Sequence, residues 1–174
     1  MLIRNVFGYA CVLTLLGLFL SITLVKAQTY CTLQEVRTEV LIYAPIDSVW
    51  NKLMAVKDYP QWNPFIQSIS GTIKLHRYLK IQLQIDDSTQ KEFKVKVLEL
   101  KPNTRFAWGG SVLFFFKAKH YFYLEAQSPT ATKLVQGEYW KGWFGKKYGQ
   151  QVYRSAYANF TKMNIKLKLL LEHQ

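Results

Sequence analysis

The chain is poor in cysteine, histidine, arginine and acidic residues, and each shortage excludes a class of function. Two cysteines in 174 residues, Cys11 and Cys31, are too few for a disulfide framework, and Cys31 is expected as a free thiol. The histidines are only His76, His120 and His173, with no metal-ligand spacing among them, so no metal or other cofactor is expected. No Ser-His-Asp set, Cys-His nucleophile or phosphate-cradling glycine loop stands out, and no catalytic residue is assigned. In residues 28–174 the arginines are only Arg37, Arg77, Arg105 and Arg154, and no zinc-finger or RNP-type motif accompanies them. Base-edge readout rests on such groups, so nucleic-acid binding is not expected. Against 23 basic residues stand 11 acidic ones, a net charge of +12 and a pI near 9.7. That balance suits a solvated basic surface or an anionic membrane surface. The lysines are scattered, densest at Lys141, Lys146 and Lys147 and again at Lys162, Lys166 and Lys168.

Apolar mass is plentiful. Hydrophobic residues make up 49% of the chain and aromatics 16%, enough for the core of one domain. The first 27 residues are set apart. After Arg4, the run Asn5–Val25 carries no charge for 21 residues, and Val25-Lys26-Ala27 offers a cleavage site. This resembles an export signal, yet the run is as long as the roughly 20 residues that span a bilayer. Cleaved signal and retained N-terminal membrane anchor both fit; a core helix is a third reading. The first two place residues 28–174 outside the cytoplasm, at the cell membrane or, after cleavage, periplasmic or secreted. Cys11 follows Gly-Tyr-Ala and not a lipobox, so no lipid attachment is expected there. The remaining 21 basic and 11 acidic residues leave the domain itself at +10.

Along the domain, Arg37–Pro45 reads as a strand. Pro45 opens a short helix whose Ile46, Val49, Trp50 and Leu53 recur at helical spacing, and Pro60 and Pro64 stop its continuation. Short strands with tight turns follow: Ser68–Leu75; Leu79–Ile85, with Leu79, Ile81, Leu83 and Ile85 on one face; a Glu92–Leu100 strand alternating through Phe93, Val95 and Val97; Thr104–Gly110, ending at the Gly109–Gly110 pair; Lys119–Ala126; and Thr132–Trp140. Asp86–Ser88 and Lys101–Asn103 read as turns. The pattern predicts an antiparallel meander with one polar face. From Gln150 to Leu171 the period becomes helical, with Val152, Tyr153, Ala156, Tyr157, Phe160, Met163, Leu167, Leu170 and Leu171 on one broad face for packing on the sheet.

Two segments invite functional readings. In Gly109–Phe122 the glycine pair suggests a flexible approach, and Phe114–Phe116 reads either as a gate or membrane-dipping loop beside Lys117 and Lys119, or as a strand edge packing on the long helix. His120 alternates with Phe122 and Leu124 and so faces inward. Glu138, on a neighbouring strand, is its expected partner, either as an acid-base pair or as a hydrogen-bonded pair at a cavity rim. Asn164 falls on the apolar helix face, where a buried amide must find a partner.

Strand, short helices, six-stranded meander and closing helix, together with the stretch Tyr43–Ile66 (YAPIDSVWNKLMAVKDYPQWNPFI), Arg105–Gly110 (RFAWGG), His120–Ala126 (HYFYLEA), Thr132–Phe144 (TKLVQGEYWKGWF) and Asn159–Glu172 (NFTKMNIKLKLLLE), resemble the START-like (SRPBCC) superfamily, in its polyketide cyclase/dehydrase-like branch. The resemblance covers residues 33–172. It implies an α+β helix-grip fold: a curved antiparallel sheet wrapped around a long C-terminal helix, with two short helices after the first strand, beside the extra N-terminal apolar helix. It also implies a cavity between sheet and helix. Trp50 and Leu53 would anchor the short helix. Trp62, Pro64, Phe65, Trp108, Phe122 and Phe160 would wall the cavity or simply plug a small core, while His120, Glu138 and Asn164 would orient a ligand. The function implied is binding of an apolar or amphipathic, lipid-like small molecule. The alternatives are a cyclase, dehydratase or hydrolase acting in the same cavity, and a non-catalytic membrane-associated accessory protein.

Overall fold

A computed structural model describes residues 34–86, 88–112 and 116–173. The expectations for residues 1–27, for Cys31, for Asp87 and for Phe114 and Phe115 lie outside them. The chain runs β1 (Gln34–Ile42), α1 (Ile46–Met54), a 3-10 turn (Val56–Asp58), α2 (Tyr59–Trp62), β2 (Ile66–Ser70), β3 (Tyr78–Gln84), β4 (Gln90–Lys101), β5 (Arg105–Val112), β6 (Phe116–Ser128), β7 (Ala131–Gly142) and α3 (Trp143–Glu172). The strands form one antiparallel sheet in the order β1-β7-β6-β5-β4-β3-β2. It is a curled half-barrel closed by α3, the α+β helix-grip architecture.

Local chemistry explains the segment between β1 and β2. Pro45 caps α1 and Asp47 lies in its first turn, where a carboxylate complements the helix dipole. Val49, Trp50 and Leu53 are buried. Pro60 sits in the first turn of α2, where its missing N–H is no loss. Asn63 then turns the chain into β2: its Oδ1 accepts from the Phe65 and Ile66 N–H groups at 3.0 and 2.8 Å. Its amide nitrogen lies 3.1 Å from Met163 Sδ on α3. The aromatics and prolines of this stretch thus wedge a compact corner between sheet and helix.

Inner-facing residues of all seven strands join α1, α2 and α3 in one apolar core that includes Val36, Ile42, Leu79, Val97, Phe106, Leu134, Phe160 and Leu167. The outer face carries a second, smaller cluster, in which Tyr121 stacks on Tyr123 and Tyr139 over Ala107 and Val135. Burial and the Glu35 carboxylate, which accepts from the Tyr121 hydroxyl, push the Tyr121 phenol well above its ordinary value. The C-terminal end of α3 is tied to β1 by Lys168, which donates to the Leu41 carbonyl at 2.8 Å, and by Glu172, which accepts from the Tyr43 N–H at 2.6 Å.

Several expectations are corrected. β2 stops at Ser70 because Gly71 turns the chain at φ +110°. Ile85 lies past the end of β3 and is exposed, as is Phe93. β5 does not end at the glycine pair but runs through it to Val112. Gly109 is a close-packing glycine, since a Cβ there would lie 2.5 Å from the Ala118 carbonyl oxygen. α3 begins at Trp143, before the expected Gln150. Its stripe is buried only from Phe160 onward, while Val152, Tyr153 and Tyr157 are exposed. Among the described residues, no helix is long and apolar enough to cross a membrane.

Candidate ligand cavity

Between the sheet and α3 lies a cavity of about 480 Å³. Phe65, Ile66, Ile81 and Leu83 form the wall on the side of β2 and β3, and Phe93 and Val95 of β4 extend it. Trp108 and His120 line it from β5 and β6, Glu138 from β7 and Phe160 from α3. The register explains the meeting of the polar pair. Trp108 stands opposite His120, and His120 opposite Glu138, so three strands deliver one row of inward side chains.

The imidazole is caged by rings. Trp108 stacks on it with centroids 4.8 Å apart and planes 13° apart; Phe160 meets it edge-on at 4.8 Å, and Phe122 at 4.9 Å. His120 Nδ1 lies 4.0 Å from Glu138 Oε2, beyond hydrogen-bond length but within Coulombic reach. Its Nε2 faces the Gln136 amide nitrogen at 3.3 Å.

Behind this wall runs a buried polar seam. Thr38 Oγ1 donates to the Gln136 carbonyl at 3.2 Å and accepts from the Asn164 amide at 3.0 Å. Among the described residues, no donor reaches Gln136 Oε1 or Asn164 Oδ1.

The structure thus brings Phe65, Trp108, His120, Glu138 and Phe160 to one cavity. It does not bring the other three to its wall. Trp62 is 5% exposed and packs edge-on against Tyr59, in the core on the far side of the Asn63 corner. Phe122 is covered by Trp108 and His120. Asn164 bonds to Thr38 in the seam. Sequence reasoning passed over Gln136 and Thr38. Their signal was present: Gln136 is a polar residue in the inward register between Leu134 and Glu138. Phe93 and Val95, read only as strand core, are cavity wall. Among the described residues, no group of three or more His, Cys, Asp or Glu side chains is placed to hold a metal ion.

No protein-family model matches the chain, and no curated protein is similar to it. Solved structures do resemble it. A START superfamily protein from Mycobacterium smegmatis is 18% identical, with 80% of this chain and 97% of that one covered at a TM-score of 0.65. The Zhui aromatase/cyclase from Streptomyces sp. R1128 is 14% identical, covering 82% and 95%, with a TM-score of 0.66. A point mutant of norcoclaurine synthase from Thalictrum flavum, in complex with a transition-state analogue, is 12% identical, covering 82% and 96%, with a TM-score of 0.65. The sheet order, the gripped C-terminal helix and these likenesses together give this chain the START-like (SRPBCC) helix-grip fold, shared with START superfamily proteins and polyketide aromatase/cyclases.

Proposed function

We propose that the domain binds an apolar or amphipathic small molecule between the sheet and α3. The observation that carries this reading is the cavity itself. Its volume of about 480 Å³ falls within the roughly 300–1,000 Å³ of small-molecule sites. Its walls are mainly aromatic and aliphatic, with Glu92, Lys94 and Ser111 also on the lining and His120 beside Glu138 to set orientation. Burying about 200 Å² of apolar ligand surface there contributes about 5 kcal/mol before the cost of association. The likeness to a START superfamily protein and to enzymes acting in the same fold supports the choice of cavity. As part of the same proposal, residues 1–27 export the domain or tether it to the membrane.

The test is titration with N-phenylnaphthylamine, an uncharged three-ring probe that fluoresces when buried. Saturable binding is expected, weakened at least about tenfold by Leu83→Trp, which fills the wall; tenfold corresponds to about 1.4 kcal/mol. Binding that does not saturate, or that ignores Leu83→Trp in a folded protein, sinks the proposal. The export arm is checked by a reporter active only outside the cytoplasm, joined after Val40; a silent reporter counts against it.

An acid-base enzyme is the second reading, favoured by the position of His120 beside Glu138 inside the cavity. Turnover of a bound substrate that is lost in both His120→Ala and Glu138→Gln, with binding retained, would establish it.

A further inference from the structure

The sheet has a notch. Among the described residues, the ladder between β4 and β5 ends at Lys96–Gly109. Beyond that rung, Lys94 and Val95 pair only with β3, and Gly110 and Ser111 only with β6. A Cβ at Gly110 would lie 3.5 Å from the Lys94 carbonyl oxygen and 3.9 Å from Val95 Cγ1, which is ordinary contact distance. Close packing therefore does not require glycine here, and a methyl would just touch β4.

Two hollows meet at this notch. Lys94, Gly109, Gly110, Ser111 and Ala118 line the inner cavity, and the same five residues line a groove of about 710 Å³. The groove's remaining wall is basic and aromatic. Lys96, Lys117, Lys119 and Lys141 join Lys94 there, with Tyr78 and Tyr139, and among the described residues no carboxylate lines it. Lys94 is held in place over the Tyr78 ring at 4.7 Å. Lys119 is committed to Glu99. Lys94, Lys117 and Lys141 are exposed and have no carboxylate partner in the described ion pairs. A concave site with charge of one sign concentrates the opposite charge and raises its association rate.

Resting on the cavity reading, we infer that the notch between β4 and β5 is the ligand's way in. The lysine groove is its vestibule, and the preferred ligand is a monomeric amphiphile with an anionic head. The apolar body passes Gly110 into the aromatic cavity, while the head stays among Lys94, Lys117 and Lys141. A membrane-facing mouth at the tip of the molecule would need none of these residues.

Two probes share one aromatic body: anilinonaphthalene sulfonate carries an anionic head, and N-phenylnaphthylamine carries none. Stopped-flow fluorescence on the full chain gives association and dissociation rates for each. Gly110→Phe places a ring at the notch, where a Cβ would meet Lys94 and Val95 at ordinary contact distance. A plugged passage slows entrance and exit alike, so both rates are expected to fall, about tenfold, with any change in Kd set by the ring's contact with the cavity that Gly110 also lines. The triple variant Lys94→Gln, Lys117→Gln, Lys141→Gln is expected to slow association of the sulfonate probe about tenfold at low salt. At about 1 M salt, where charges are screened within about 3 Å, that difference should vanish. The uncharged probe should not respond to the triple variant.

If the unmodified protein binds neither probe, the cavity reading itself falls, and this inference with it. If both probes bind but Gly110→Phe changes neither rate, the notch is not the passage. Equal response of the two probes to the lysine triple overturns the anionic head. Should Gly110→Phe fail to fold, the lysine triple decides alone: a sulfonate-specific, salt-sensitive loss of association supports the vestibule, and no such loss overturns it.

Discussion

The adjacent glycines of β5 offer a sharp test of the packing, because the structure assigns them opposite roles. Neither has a positive φ, so an alanine at either position meets no backbone strain. Replacing glycine by alanine at a compatible position stabilises by about 0.4–1 kcal/mol, by narrowing the unfolded ensemble. At Gly110 nothing offsets that gain, since the new Cβ would sit 3.5 Å from its nearest neighbour. At Gly109 it would sit 2.5 Å from the Ala118 carbonyl oxygen and 2.7 Å from Leu98 Cδ1. Leu98 has a flexible tip and can retreat. The carbonyl belongs to the backbone of β6, so the ladder between β5 and β6 must yield by nearly 1 Å. Forced overpacking of this kind costs about 1–3 kcal/mol. The unfolded-state gain is common to both variants and cancels, so Gly109→Ala is expected to be about 1–3 kcal/mol less stable than Gly110→Ala, read as the separation between two urea unfolding curves. If the two variants agree within about 0.5 kcal/mol, or their order is reversed, the close approach of β6 at Gly109 and the open notch at Gly110 are both misassigned.

Trp62→Ala is expected to cost about 3–5 kcal/mol, the range for a core aromatic, and to leave the affinity of the folded protein for N-phenylnaphthylamine unchanged. Weakened binding with little loss of stability would return Trp62 to the cavity wall. Tyr59 is fully buried and donates to the Leu53 carbonyl at 2.8 Å, and burial raises its phenol far above the ordinary value of 10.0. The unfolded chain then releases this proton first. The stabilisation is complete below pH 10 and declines as pH rises above it, by about 1.4 kcal/mol per pH unit for one proton. Tyr59→Phe should lower stability at neutral pH, because the Leu53 carbonyl loses its donor, while making the alkaline decline shallower by that one proton. An unchanged alkaline slope in thermal unfolding would contradict the assignment.

Much of the fold was written in local patterns. Alternation in Leu79–Leu83 and His120–Leu124, the turn at Lys101–Asn103, Pro45 before a helical repeat, and the apolar period from Phe160 to Leu171 each act within a few residues, and each is legible without knowing the neighbours. Alternation also set His120 inward, and the strand order implied by a meander set Glu138 beside it. What alternation cannot say is how much of an inward face is covered. The stripe of α3 continues through Tyr153 and Tyr157, yet burial begins only with Phe160, because burial depends on what lies opposite and the helix outruns its cover. Trp62 and Phe65 stand three residues apart in one aromatic stretch, but the Asn63 turn sends one into the core and the other to the cavity. The glycine pair looked like one flexible element. Only the approach of β6 on one side and the end of the β4 ladder on the other made Gly109 a packing requirement and left Gly110 room for a methyl. Local propensity therefore determined the elements and their faces. Cover, clearance and the meeting of cavity and groove arise from residues distant in sequence, so only the tertiary structure decided them.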